Sequence, residues 1–488
     1  MSGWGAVLAA VCCLALSTLA AAQSPPPAQS PNTQPNVILE PLRQAPRQTD
    51  QLQDTSGAAE SQRLLRPDRV VTYDDVMAAP DDIDLNFAYA QTQIGRGDLH
   101  GAAATLERII LINPDLPRVR LLYAIVLYRL DNLDEAEREL RAVRLYEMPS
   151  SLRAELDRYL SQIELRRKLT RYTLTVSASV QQDWNKNAAS ASGQTLVGAS
   201  VTGIGQDIRT PLVGHDQRRS DQAYIGLARL DVSRDLGFQA RHQITGAISY
   251  YRDQQVSLAE FDLSAISAEL GGVYDASPVT IVPNFYRRRI NLDNRHYADN
   301  TGADLHVYHQ YDPETQLYVL GVAEYQNYWP IPIEQNAKEY NGWLYTTGFG
   351  VNYTFLQSMR IGLELDGIRK YAARNYNSYN GARIAGTHTW IFGNGTFLLT
   401  LLSAERDWYE EGYPVVSDLT RHDQIYRGRI TYGVPVGLFF DEDLRATDLL
   451  RDLTLAVSFE AVHQYSNIIN YSYNNRSASI GLSKRWEF

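Results

Sequence analysis

The sequence predicts two folds in succession: helical repeats over residues 81–168, then a fourteen-stranded antiparallel transmembrane β-barrel over residues 169–488. Three observations predict it. Apolar residues in 81–168 recur at helical spacing, and that pattern returns after 34 residues. Beyond Lys168 the periodicity falls to two and holds to the terminal Phe488. A spacing of two sorts side chains onto opposite faces of a strand, whereas 3.6 gathers them on one side of a helix. Between the strands, short and long breaks alternate, as they do between the two rims of a membrane barrel.

Residues 1–22 carry no charged side chain, an apolar run from Ala6 to Leu16 and a small-residue exit at Ala20-Ala21-Ala22. This reads as a secretory signal peptide. The alternative is a membrane anchor, but the run is short for the ~30 Å of a bilayer core and lacks a basic flank. Cys12 and Cys13 are the only cysteines, and both lie in this segment. The rest of the chain therefore has no disulfide framework, no cysteine metal site and no cysteine nucleophile. The formal charge of −10 also belongs wholly to the later residues, which disfavours nucleic acid as a partner.

Residues 23–80 form a Pro/Gln/Ser-rich linker, with too little apolar surface to offset the entropy of ordering it. In 81–168, a shift of 34 residues lays Ala90 on Ala124, Leu99 on Leu133, Ala102 on Ala136, Leu106 on Leu140 and Ile109 on Val143. The turn Gly97-Asp98-Leu99 falls on Asp131-Asn132-Leu133. Alanines where helices touch, with a turn between them, resemble the tetratricopeptide repeat. Two repeats are present. A third amphipathic segment, with Leu152, Leu156, Tyr159, Leu160 and Ile163, is suited to cap the stack. The first helix of each unit lines the concave face in that family. The resemblance thus implies Phe87, Gln91, Leu121, Ile125, Tyr128 and Arg129 as candidate client-binding groove residues, each as readily core or solvent filler as partner contact.

In the strand region, Tyr172, Leu174, Val176, Ala178 and Val180 alternate with Thr173, Thr175, Ser177, Ser179 and Gln181. Ile361, Leu363 and Leu365 alternate with Arg360, Gly362, Glu364 and Asp366. The same alternation runs through Tyr345 to Phe355 and Leu453 to Ala461. Tyrosine is abundant, 31 against 12 Phe, as expected where rings collect at a membrane–water boundary. Short breaks fall near 235–237, 274–277, 311–314, 356–358 and 393–395. Longer ones fall near 184–220, 253–258, 290–297, 329–340, 373–382, 409–421 and 466–470. Residues 436–450 form a long connection on the short side, where a periplasmic helix would fit.

In the last strand, Ile480, Leu482, Trp486 and Phe488 share the lipid side, with Lys484 close enough to the boundary to snorkel. A strand in lipid must satisfy its backbone sideways, so the last strand has to pair with the first. Trp486 and the terminal Phe488 resemble the assembly signal of bacterial outer-membrane proteins, with Gly481 offset from its usual position.

Chemistry leaves little trace: no Gly-x-Ser-x-Gly elbow, phosphate loop or His-Glu-x-x-His occurs. His306 and His309 are an odd number of residues apart, which sends them to opposite strand faces and away from a shared metal. Arg287-Arg288-Arg289 likewise places Arg288 opposite its neighbours. Glu364 and Asp366 suit a hydrated, ion-paired lumen. No enzymatic role, cofactor or metal is expected.

The order signal, linker, two helical repeats and fourteen-stranded barrel resembles the surface lipoprotein assembly modulators, the Slam family, over nearly all of the chain beyond residue 22. The resemblance implies a bacterial outer-membrane location with the helical domain in the periplasm. It implies a translocator delivering specific surface lipoproteins, or related secreted haem- and metal-acquisition proteins, to the cell surface. The implied partners are that client (a lipoprotein or haemophore-like protein), periplasmic chaperones, the barrel-assembly machinery and outer-membrane lipid. Two other readings stay open: an exopolysaccharide export porin with a tetratricopeptide domain, and a passive porin or nutrient receptor.

Overall fold

The computed structural model describes residues 71–146, 150–202, 206–238, 242–356, 358–440, 450 and 452–488. The expected signal segment and linker residues 23–70 lie outside the described residues, as do 441–449 of the long connection. Two compact units are present, meeting in sequence at Leu169–Thr170.

The helical unit contains α1 (Tyr73–Ala78), α2 (Ile83–Gly95), α3 (Leu99–Ile112), α4 (Pro117–Arg129), α5 (Leu133–Val143) and α6 (Ser150–Arg167). Helix α1 falls inside the expected linker. Its capping box joins Thr72 and Asp75, and it buries Val76, while Val71 just before it is also buried. Composition across 23–80 is polar on average, and that average hides the short helix at Tyr73–Ala78.

The 34-residue register appears directly in the packing. Ala90, Ala124, Ala102, Ala136, Leu106 and Leu140 are each 0% exposed, and Ile109 and Val143 are 1% exposed. A methyl side chain lets packed helix backbones approach closely while still filling the space between them. The turns also repeat. Gly97 (φ 82°) and Asp131 (φ 63°) both take the left-handed conformation. The Asp98 N–H then donates to the Gln93 carbonyl at 2.9 Å, and the Asn132 N–H to the Leu127 carbonyl at 3.0 Å. Both are Schellman closures, which satisfy carbonyls the helix end leaves bare. Helix α6 completes the stack by burying Leu156, Tyr159 and Ile163 against the same core.

The second unit is a closed barrel of fourteen antiparallel strands. They are β1 (Thr170–Asp183) and β4 (Asp221–Asp235) through β16 (Tyr473–Glu487). Between these lie β5 (Gln243–Gln255), β6 (Leu263–Ala276), β7 (Val279–Leu292), β8 (Arg295–Gln310), β9 (Thr315–Tyr328) and β10 (Gly342–Leu356). Next come β11 (Met359–Lys370), β12 (Tyr379–Ile391), β13 (Phe397–Tyr413), β14 (Ser417–Pro435) and β15 (Leu453–Ser466). A small hairpin, β2 (Gln194–Val197) with β3 (Ile208–Pro211), stands in the β1–β4 connection beside the short helix α7 (Ala199–Thr202). Strand β1 pairs with β4 on one edge and β16 on the other, which closes the cylinder.

Parity is as expected. Val176 and Val180 are exposed while Ser177 and Ser179 are buried. Ile361, Leu363 and Leu365 are exposed, while Glu364 and Asp366 are buried. Outward apolar and inward polar is the inversion that a bilayer imposes on a barrel.

Two expected long loops are tight instead. Strands β7 and β8 meet at Asp293-Asn294, both at φ 54°, the geometry of a two-residue type I′ hairpin. Strands β13 and β14 continue to Tyr413 and from Ser417, leaving three residues between them. In the long connection, Val436–Phe439 form one 3-10 turn.

Candidate functional site: barrel lumen, outer rim and helical repeats

The lumen wall from β7 to β12 is built on a repeated row. Tyr286, Gly302 and Glu324 are in register on β7, β8 and β9, and Tyr318, Gly350 and Glu364 on β9, β10 and β11. In each row the tyrosine ring lies across the glycine of the next strand. A Cβ on Gly302 would stand 2.5 Å from the Tyr286 oxygen, and one on Gly350 2.2 Å from the Tyr318 ring. The space that glycine leaves lets the phenol reach two strands away. Tyr286 Oη donates to Glu324 at 2.9 Å, and Tyr318 Oη donates to Glu364 at 2.7 Å.

Glu324 also accepts from Asn300 at 3.1 Å and from Gln326 at 2.6 Å, while Lys370 donates to Gln326 at 2.7 Å. Arg383 Nε donates to Asp366 at 2.7 Å, beside Glu364. Strands β7, β8, β9, β11 and β12 are thus tied to one another by side chains as well as by their ladders, and the Tyr318–Glu364 and Lys370–Gln326 bonds pass over β10. Such buried carboxylates are tolerated because they are paired and hydrogen-bonded.

The other wall is more strongly ionic. Arg229 on β4 binds Glu269 on β6 through two hydrogen bonds of 2.9 and 2.7 Å, and Asp231 at 2.7 Å. Arg429 Nε donates to Glu460 at 2.8 Å. Arg421 Nε donates to Asp423 at 2.8 Å, and its guanidinium lies 3.7 Å from the Tyr471 ring centroid. His306 points inward beside Asp304 at 3.1 Å, while His309 is exposed on the opposite face. Among the described residues, no group of three His, Cys, Asp or Glu could hold a metal ion.

At the rim that carries the longer connections, these pack on one another in two groups. The β1–β4 connection reaches those after β13 and β15: the Gly198 N–H donates to the Val415 carbonyl at 2.9 Å. Asn470 exchanges bonds of 2.6 and 2.9 Å with the Leu196 backbone. Val416, Ile468 and Tyr471 form the small core beneath. A second core gathers Leu258 and Phe261 from the connection after β5, Ile331 and Ala337 from the connection after β9, and Tyr297 and Tyr328 from the adjoining ends of β8 and β9.

Glu334 belongs to the second group and is 1% exposed. Its Oε1 accepts from the Asn336 N–H at 3.2 Å, while Oε2 has no hydrogen-bond partner among the described residues. Burial, with the Glu339 charge nearby, pushes its carboxyl up to about 7. Tyr471 of the first group is raised to about 12, chiefly by burial, and the Glu334 charge contributes. The carboxylate therefore stands where the two groups meet.

The predicted residues of the helical unit separate. Leu121 and Ile125 are each 1% exposed and belong to its core, and Gln91 is buried. Phe87 is half-buried under the Arg118 guanidinium, 5.2 Å from the ring centroid. Tyr128 packs edge-on against Tyr159 at 5.3 Å, and Arg129 is exposed. Phe87, Tyr128 and Arg129 therefore present surface, and Leu121 and Ile125 do not.

At the barrel seam, Trp486 pairs with Leu174 and Gly481 with Ser179, and Phe488 exchanges backbone bonds of 3.0 and 3.3 Å with Tyr172. The Lys484 ammonium lies 5.5 Å from the Trp486 ring centroid. The terminal aromatic pair is thus part of barrel closure. Sequence reasoning missed the Tyr–Gly–Glu rows and Glu334. Two in-register rows cannot be found until strand pairing is known, and Glu334 lay in an unpatterned loop.

A tetratricopeptide-repeat family model matches residues 93–156. No curated protein matches the chain. Among solved structures, a deltaS2 mutant of the TodX monoaromatic hydrocarbon channel aligns with 65% of this chain and 91% of its own, at 9% identity and TM-score 0.33. The outer-membrane channel DcaP of Acinetobacter baumannii aligns with 65% and 97%, at 7% identity and TM-score 0.35. A loop-deleted OmpT, an outer-membrane protein of Vibrio cholerae, aligns with 64% and 99%, at 8% identity and TM-score 0.32. The barrel assignment rests on the strand pairing itself, and the helical unit is similar to tetratricopeptide repeats.

Proposed function

We propose that this chain is an outer-membrane protein translocator that delivers specific surface lipoproteins, or related secreted haem- and metal-acquisition proteins, to the cell surface. The observation that carries the reading is the direct fusion of the two units. The last repeat helix ends at Arg167 and the first barrel strand begins at Thr170. A helical repeat is a protein-binding surface, and a passive pore needs none. The repeats receive an unfolded client on the periplasmic side, and the barrel provides its path outward. Folding of the client outside gives direction, because no chemical step is involved. The test is co-expression with the product of the neighbouring gene, scored by protease access on intact cells. Removing residues 81–166 abolishes display under this reading, and unchanged display would overturn it.

The second reading is exopolysaccharide export. The same join of helical repeats to a barrel would serve it. The presence of only two repeats counts against it. Loss of polymer from the medium on gene deletion, with protein display intact, would select it.

A further inference from the structure

The arginine run on β7 divides between the two faces of the barrel. Arg288 is buried on the lumen side, and Arg287 and Arg289 lie on the lipid side with side chains 65% and 55% exposed. A lipid-facing arginine costs about 2–4 kcal/mol at the bilayer midplane and about 0–1 kcal/mol at the boundary. Outward neighbours mark the boundary: Phe285, below the pair on the same strand, and Ile266, opposite Arg289, are exposed and apolar. The two arginines stand at the upper edge of that band, toward the β7–β8 hairpin. Their shared partner is one carboxylate, Asp299, at 3.3 Å from Arg287 Nη2 and 3.1 Å from Arg289 Nε. His296 Nε2 lies 3.7 Å from the same carboxylate. Two fixed cations on one anion leave an excess positive charge, and each exposed guanidinium has further N–H donors beyond its bond to Asp299.

We propose that Arg287 and Arg289 form a binding site for the phosphate of an outer-leaflet glycolipid headgroup. The match is chemical: two planar guanidiniums on one strand face present parallel donors to a phosphate monoester, and the surrounding apolar surface takes the acyl chains. Asp299 holds the two arginines side by side, so the site exists before the lipid arrives. The proposal rests on the loop rim facing the cell exterior, as in the reading above, but not on protein transport. Its failure would leave that reading standing.

The experiment uses the full chain in detergent, titrated with bisphosphorylated lipid A. The expected result is binding that weakens at least tenfold in Arg287→Gln/Arg289→Gln. Arg234→Gln, at the opposite rim, binds as the parent does. Arg287→Lys/Arg289→Lys keeps the charge but loses the planar donor fork, so it binds severalfold more weakly than the parent and more tightly than the glutamine variant, which separates lost binding from a folding defect. Dephosphorylated lipid A and phosphatidylglycerol bind at least tenfold more weakly than the bisphosphorylated form. Equal binding by the glutamine variant, or by dephosphorylated lipid A or phosphatidylglycerol, would overturn the proposal. So would full competition by equimolar inorganic phosphate.

Discussion

Replacing Glu334 by Gln makes the closure of the longer loops independent of pH. In an open loop the carboxyl titrates at its ordinary 4.5, and in the packed rim at about 7. The packed rim therefore holds the proton more tightly than the open one. Below 4.5 the group is protonated in both states and costs nothing. As the pH rises from 4.5 to about 7, the ionised form increasingly favours opening. Above 7 the full penalty applies, about 3 kcal/mol at 1.36 kcal/mol for each tenfold. Between pH 5 and pH 8 the opening equilibrium of the parent should rise roughly 70-fold by this linkage. The groups facing the carboxylate are Glu339 on its own loop and Tyr413 and Tyr471 from the opposite group, and neither phenol titrates in that window at its raised value. The assay is amide exchange of 256–262, 329–341 and 467–472, compared at pH 5 and pH 8 after correction for the intrinsic rate. The parent loses protection at the higher pH, and Glu334→Gln keeps it at both. Equal corrected protection at the two pH values in the parent would refute the reasoning.

Other perturbations test the packing. Arg229→Met strands the buried Glu269 carboxylate and should destabilise the barrel by about 3 kcal/mol, read by urea unfolding in lipid vesicles; adding Glu269→Gln should restore part of that loss. Gly350→Ala pushes a methyl against the Tyr318 ring and breaks its 2.7 Å bond to Glu364, for about 1–3 kcal/mol in the same assay. Ala124→Leu overfills the helix contact in the repeats by a similar amount, about 1–3 kcal/mol. It should increase proteolysis within 81–168 of the full chain while leaving barrel unfolding unchanged.

Much of this fold was legible because two periodicities are strict. The 34-residue alanine and leucine register, and the alternation that exposes Leu363 and buries Glu364, each reflect one environment acting on every turn or strand. Features that depend on a single local conformation were harder to read. Asp293-Asn294 makes a two-residue hairpin although neither residue is glycine, because Asp and Asn tolerate the left-handed region. Helix α1 hides in a polar stretch because one capping box and two valines suffice to dock it. The groove was read by family resemblance, which names a helix face but not which residues on it the next helix covers. Leu121 and Ile125 fall among the covered residues of that face. Interactions between strands that are not paired, such as Arg229 on β4 with Glu269 on β6, leave no mark on a linear pattern.

The inversion of the barrel carries everything else, and one measurement reaches it directly. Both cysteines lie at positions 12 and 13, so single cysteines can be placed from Ile361 to Gly367, spin-labelled in vesicles, and probed with oxygen and a water-soluble nickel chelate. The account predicts oxygen accessibility peaking at 361, 363, 365 and 367 and falling at the positions between. A flat profile, or one with nickel peaks at the odd positions, would contradict it.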